Sequence, residues 1–226
     1  HMASSKTQEA YAAIKQMLIT SELAPNSTVS EEFLQAKLEM SRTPVREALQ
    51  ILTRERFLEV IPRKSIVVTD ITLDLLNEIY DFREVNEPYI AQSACGKLPE
   101  LIWKDLRNKF CNPPMDDSKA KRQYLISLDT LLHATIMQCC PNRFITDSMR
   151  IVLDHDARIK YFSYEEAQND AISIPEHLNI IDSILQNDTE MIRKSVLTHI
   201  QNSRRLVGSR VLSKFIENGT ASNIVK

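Results

Sequence analysis

Glycine is nearly missing from this chain, with 3 in 226 residues, and aromatic side chains make up only 6%. With many Leu, Ile and Ala in their place, that scarcity favours a mostly helical protein over a turn-rich β architecture. No apolar run approaches the roughly 18 residues that a membrane-spanning helix needs. The polar N-terminus offers no signal peptide, and His1-Met2 reads as a cloning remnant and is set aside. The 4 cysteines show no CxxC spacing, and the adjacent pair Cys139-Cys140 is poorly placed to bond to itself. They read as buried reduced thiols of a cytoplasmic protein. A formal net charge of −2 excludes a chain that coats nucleic acid over its whole surface. The length leaves room for one large domain or two modest ones.

Against this background the stretch Ser41-Arg42-Thr43-Pro44-Val45-Arg46-Glu47-Ala48-Leu49 stands out. Ser41 can cap a helix start, and Pro44 is tolerated because it falls in the first turn. Helical spacing then puts Val45, Ala48, Leu49 and Leu52 on one apolar stripe. Arg42 and Arg46, four apart, share the opposite side. Two exposed arginines alone would be ordinary surface charge. A helix offering Arg-Thr at its N-terminus and a further Arg one turn on can also hold phosphates and read guanine edges in a DNA major groove.

The neighbouring residues favour the second reading. Residues 30–38 form a short capped helix pattern, and Glu39-Met40 is a tight connection, which is helix-turn-helix spacing. Downstream, 57–61 and 66–69 are β-prone runs on either side of Pro62-Arg63-Lys64-Ser65, a hairpin with a basic tip. Residues 41–64 carry six Arg/Lys against three Glu, a local +3 in an otherwise acidic chain. Enough affinity for DNA then requires two copies acting together.

A first helix over about 7–20 presents Tyr11, Ile14 and Leu18 as support for the helix-turn-helix. After Thr69 the β-branched residues give way to helical periodicity, so the reading is a DNA-binding domain over 3–70 and a helical domain over 71–226. Helices are expected at about 72–95, 99–110, 118–140, 143–163, 175–186 and 189–216, with Asn187-Asp188-Thr189-Glu190 as a capping-box-like start for the last. Six helices with short connections make an antiparallel bundle, and the fold class is mainly α.

A second constellation lies in this bundle. Asp129 and His133 are four apart on one helix face and can reach one metal ion from the same side. His177 precedes the turn near 187–189 by about ten residues, and His199 follows it by about ten. In an antiparallel hairpin the two imidazoles come level and face inward. One inward histidine is most often a hydrogen-bonded core residue, but three with a carboxylate form a donor set for zinc, nickel or manganese. The histidines at 133, 155, 177 and 199 are evenly spaced, but their flanks share nothing and mark no repeat.

Residues 7–69 resemble the winged helix-turn-helix of GntR-type transcriptional regulators, through Leu23-Ala24-Pro25-Asn26, Val29-Ser30-Glu31 and above all residues 41–49. Two positions depart from the pattern: Glu39 stands where that family usually has a turn glycine, and Ser65 where the wing commonly has one. The remainder resembles the FadR-branch ligand-binding domain, the FCD type, whose metal-binding members carry Asp-x-x-x-His followed by two histidines 22 apart. The resemblance implies Asp129, His133, His177 and His199 as metal ligands, and His155 as a supporting or surface residue. It extends to Tyr80-Asp81-Phe82-Arg83 and Glu87. It also implies a small organic acid on the metal, with Arg83 pairing its carboxylate or else bonded to a helix glutamate. Arg143, Arg158 and Asn202 are further cavity candidates. As a whole it implies a cytoplasmic homodimer on a palindromic operator, with Ser41, Arg42, Thr43, Arg46, Arg63 and Lys64 at the DNA. The alternative from another class is a metal-dependent hydrolase or lyase using the Asp/His₃ set. That reading leaves the front third of the chain unexplained.

Overall fold

The computed structural model describes residues 5–61, 65–113, 118–163 and 173–217. In chain order its elements are α1 (Ser5–Ile19), β1 (Thr28–Val29), α2 (Glu31–Leu38), α3 (Arg42–Arg54), β2 (Leu58–Ile61), β3 (Ser65–Val68), α4 (Leu73–Gln92), α5 (Glu100–Cys111), α6 (Ser118–Gln138), α7 (Arg143–Ser163), α8 (Ser173–Leu185) and α9 (Thr189–Glu217). Contacts divide the chain into two compact units. One takes the residues up to Leu76, the part of α7 from Leu153 and the end of α9 from Ser209. The other takes Asn77–Val152 and the rest of α8 and α9 to Gly208.

The first unit is built on one apolar core in which Ile14 and Leu18 of α1, Leu34 of α2 and Val45, Ala48, Leu49 and Leu52 of α3 meet Phe57, Leu58 and Val68. Each fully buried leucine here stabilises the fold by about 1.5–3 kcal/mol relative to an exposed one. Ser30 caps α2 by accepting the Phe33 N–H at 3.2 Å. Glu39 closes the helix in a left-handed conformation, φ 52° and ψ 40°, as the missing turn glycine foreshadows. Ser41 does occupy the position before α3 but makes no side-chain cap bond. The expected hairpin is present as β2 and β3, in the register Leu58 opposite Val68. The sequence reading missed the short β1, which pairs antiparallel with β3 to give the order β1-β3-β2. Two residues carry too little periodicity to register as a strand. The wing tip, Pro62, Arg63 and Lys64, lies outside the described residues.

In the second unit α8 and α9 form the antiparallel hairpin expected from the spacing of their histidines. Asn187 ends α8 with φ 54°, and Asp188 Oδ1 accepts the Met191 N–H at 2.9 Å to start α9. The cap is therefore Asp188, and a capping box would need its glutamate one residue later than Glu190. Ser183 and Ser195 hydroxyls meet at 3.2 Å across the hairpin, which fixes its register. Tyr80 of α4 meets Ser203 of α9 at 2.8 Å, and Arg204 bonds Asn77, Asp81 and Glu84 along α4. Arg107 of α5 pairs with Asp182 of α8 at 2.6 Å. The four cysteines are free thiols, and of these only Cys140 is buried, not all four as composition suggested. None of the described helices is long and apolar enough to cross a membrane.

Candidate nucleic-acid interface and metal centre

The α3 helix separates its two faces as its spacing demands. Pro44, Val45, Ala48, Leu49 and Leu52 are buried, whereas Ser41, Arg42, Thr43 and Arg46 are exposed together at its N-terminal end. Its first backbone N–H groups and the positive end of its dipole lie on the same side as the two guanidinium groups, which suits a phosphate or a base edge. Arg42 is not idle: its Nε donates to Glu31 Oε2 of α2 at 3.2 Å, which holds the side chain over the turn.

The second constellation also comes together. One ligand atom from each of Asp129, His133, His177 and His199 lies within 4.8 Å of the others. Two come from one face of α6, one from α8 and one from α9. Asp129 Oδ1 is 2.9 Å from His177 Nε2 and 3.6 Å from His133 Nε2. The His177 and His199 rings are 4.7 Å apart, tilted by 51°. Although close to Asp129, His177 Nε2 makes no bond of hydrogen-bond geometry, and His199 Nε2 is likewise buried without a partner among the described residues. Unpartnered buried nitrogens are costly in an ordinary core. Imidazole nitrogens and a carboxylate oxygen converging on one point fit a divalent cation.

The electrostatics agree with that arrangement. Burial pushes His199 down to about 4, against Glu176 and with the help of His177 and His133, so its ring is neutral at neutral pH. Burial also opposes charge on His133, but Asp129 and Glu87 outweigh it and the net shift is upward. A proton and a cation would therefore compete for His133.

The sequence reading missed Glu176, whose Oε2 lies 2.9 Å from His199 Nδ1. Its other oxygen accepts from Asn202 Nδ2. Adjacency to His177 was the only signal that pointed to it. The expected cavity residues separate. Arg83 is buried, donates Nε to Glu87 Oε1 at 2.6 Å and stacks over Tyr80 at 4.9 Å. Its helix ion pair is therefore real, and Glu87 Oε2 in turn stands 4.0 Å from His133 Nδ1. Asn202 reaches the centre through Glu176. Arg143 is exposed on the first turn of α7. Arg158 is fully buried in the first unit, where it donates to the Thr69 hydroxyl at 3.0 Å and to the Thr69 carbonyl. It is spent on the chain leaving β3 and is not gathered with the cluster. His155 is neither a surface residue nor part of the metal centre: it too is buried in the first unit, with Nε2 2.8 Å from the Glu55 carbonyl.

Known protein families match both parts of the chain. The family model described as bacterial regulatory proteins, gntR family, matches residues 6–68, and the FCD domain model matches residues 78–202. The chain is 25% identical over 82% of its length to the Nta operon transcriptional regulator of Aminobacter aminovorans, covering 86% of that protein. It is 29% identical over 80% of its length to the gluconate operon transcriptional repressor of Bacillus licheniformis, covering 76% of it. Among solved structures, Escherichia coli McbR/YncC superposes with a TM-score of 0.75 at 21% identity, over 92% of this chain and 99% of that one. At that identity the likeness speaks for the fold.

Proposed function

Because the chain belongs to the GntR family of bacterial regulatory proteins and carries an FCD domain, we propose that it is a homodimeric regulator whose hold on a palindromic operator is set by a small organic acid bound at a divalent metal. It is a transcriptional regulator and not an enzyme, as its relatives are. Its place of action is the cytoplasm, where the operator is.

On the DNA side, Ser41, Thr43 and the α3 N-terminus hold phosphates, and Arg42 and Arg46 reach base edges or the backbone. Arg63 and Lys64, basic residues between β2 and β3 in the sequence, are further candidates for DNA contact, although they lie outside the described residues. Support comes from the exposure of Ser41, just before α3, and of Arg42, Thr43 and Arg46 within it, on a helix whose other side is core. One such face is small, so a second copy on the other half-site supplies the remaining affinity.

On the sensing side, the observation that carries the proposal is the convergence of Asp129, His133, His177 and His199 within 4.8 Å. Three imidazoles and one carboxylate suit zinc first, with nickel or manganese as alternatives. When bound, the cation supplies positive charge and open positions for an anionic ligand. Arg83 is the effector candidate whose charge already acts on a ligand, opposing protonation of His133. Its pairing with Glu87 offsets that charge, so a carboxylate beside the metal would have to share the guanidinium with Glu87. Arg143 and Arg158 have no part in this proposal. Ligand that binds one arrangement of the bundle better than another shifts the population of DNA-competent dimers by that difference in affinity.

The test is fluorescence anisotropy of full-length protein with a palindromic duplex selected from a random pool, at several salt concentrations, with and without zinc and a panel of small carboxylates. Sequence-specific binding with a steep salt slope is expected. Arg46→Ala is expected to cost roughly 1–3 kcal/mol of operator binding. Operator affinity that ignores both zinc and every acid would overturn the sensing half of the proposal.

A further inference from the structure

The metal centre has an outer support that the four ligands alone do not reveal. Glu176 stands one residue before His177 on α8, yet its carboxylate is not turned into the cluster. Its Oε2 is 2.9 Å from His199 Nδ1, and its Oε1 accepts from Asn202 Nδ2 on the same helix as His199, one turn further along. Asn202 is itself held, since its Oδ1 accepts from Arg205 Nη2. A chain of polar contacts therefore runs from the exposed side of α9 through Asn202 and Glu176 to the buried His199 ring. At the far end of that ring, Nε2 is buried with no partner among the described residues.

The chemistry of a neutral imidazole gives this arrangement a meaning. The ring carries one N–H, and the nitrogen without it has the lone pair. A carboxylate accepts and cannot donate, so Glu176 requires the proton of His199 on Nδ1. The lone pair is then on Nε2, the atom aimed into the cluster. Glu176 also joins α8 to α9 at the level where each contributes a ligand, so it fixes ring orientation as well as tautomer. Such a partner makes the imidazole a better base toward a cation, and removing one typically costs 10–100-fold in metal affinity. The corresponding partner of His133 on α6 is less well placed: Glu87 Oε2, from α4, is 4.0 Å from His133 Nδ1, outside hydrogen-bond reach.

We infer that Glu176 is a positioning residue for the metal centre, holding His199 in the Nδ1–H tautomer with Nε2 directed at the cation, and that Asn202 anchors Glu176 and is not itself a contact to the effector. This role rests on the proposed function of the cluster as a metal site.

The experiment uses the full chain stripped with a chelator. Two-bond ¹H–¹⁵N spectra of the histidine rings, with His199 assigned by its absence in His199→Gln, are recorded for wild type, Glu176→Gln and Glu176→Ala. Zinc affinity is measured by competition with a chromophoric chelator on the same samples. The expected wild-type His199 signal is that of an Nδ1–H ring. Glu176→Ala is expected to move it toward the Nε2–H form and to weaken zinc binding roughly 10–100-fold. Glu176→Gln, whose amide oxygen can still accept, is expected to fall between the two. A merely structural glutamate would lower the melting temperature and leave tautomer and zinc affinity unchanged. That outcome, or an Nε2–H ring in the metal-free wild type, overturns the inference while the metal site stands. A wild-type chain that binds no zinc overturns the metal reading, and the role of Glu176 falls with it.

Discussion

His155 lies flat against Phe57, ring centroids 3.9 Å apart and planes only 8° from parallel. One ring comes from α7 and the other follows α3, so a residue far along the chain covers the exit of α3. The contact is made firm by polar neighbours. His155 Nε2 meets the Glu55 carbonyl at the α3 C-terminus, and Lys15 bridges Glu55 and Asp154 at 2.8 and 2.7 Å.

Stability should follow this histidine when the pH falls. Burial lowers its pKa below the ordinary 6.5 in the folded protein. The unfolded chain therefore takes up a proton that the folded one refuses, and stability drops as pH falls through the unfolded value. In urea titrations at about pH 8 and about pH 5, His155→Gln is expected to lose less stability between the two conditions than wild type. An equal or greater loss would show that His155 titrates no differently in the two states.

Arg158→Ala should destabilise the protein by roughly 2–4 kcal/mol, from lost packing and two charge-assisted hydrogen bonds to Thr69. Thr69→Ala, which removes one Arg158 acceptor together with the hydroxyl's own donation to the Arg56 and Phe57 carbonyls, should cost roughly 1–2 kcal/mol. Chemical denaturation of the two variants distinguishes a buried clamp from a replaceable charge.

Glu31→Gln is expected to tighten DNA binding modestly. The Glu31 carboxylate now holds Arg42 and would face the phosphates along with it. Removing its charge both frees the arginine and relieves repulsion, by an amount that salt should diminish. Anisotropy at low and high ionic strength measures it, and weaker binding at low salt would mean that Glu31 aims Arg42 productively.

Glu39→Gly should stabilise the first unit by about 0.5–1 kcal/mol. Glu39 closes α2 at φ 52°, where a side chain is strained and glycine is not. The melting temperature should rise with no change in the specificity of DNA binding.

Zinc should raise the melting temperature of the wild-type chain and leave that of His177→Ala almost unchanged. A cation that binds only the folded state stabilises it by about 2.7 kcal/mol at a free concentration one hundred times its dissociation constant. Scanning calorimetry with and without chelator checks this, and an equal rise in the variant would place the zinc elsewhere.

Much of the architecture could be read from residue spacing. The apolar positions of α3 and the boundaries of α4 to α9 follow from a 3.6-residue period, a local property. The level placement of His177 and His199 needed only a tight turn between two helices. Other features left no such signal. Thr28-Val29 is too short to show alternation, yet it forms the third strand because β3 offers it an open edge. Arg158 looked like a cavity arginine and His155 like a supporting or surface residue, because a helix pattern tells which residues share a face but not what that face meets.

By itself, then, the order of residues determined the helices, the split between apolar and basic sides of α3, and the donor types that can serve a cation. Only the tertiary structure decided that Glu176 backs His199, and that the ends of α7 and α9 belong with the head of the chain. Periodicity is set by neighbours a few bonds away. Partnership across a core is set by packing and burial among residues far apart in sequence, where one polar atom's need for a partner selects among many geometries.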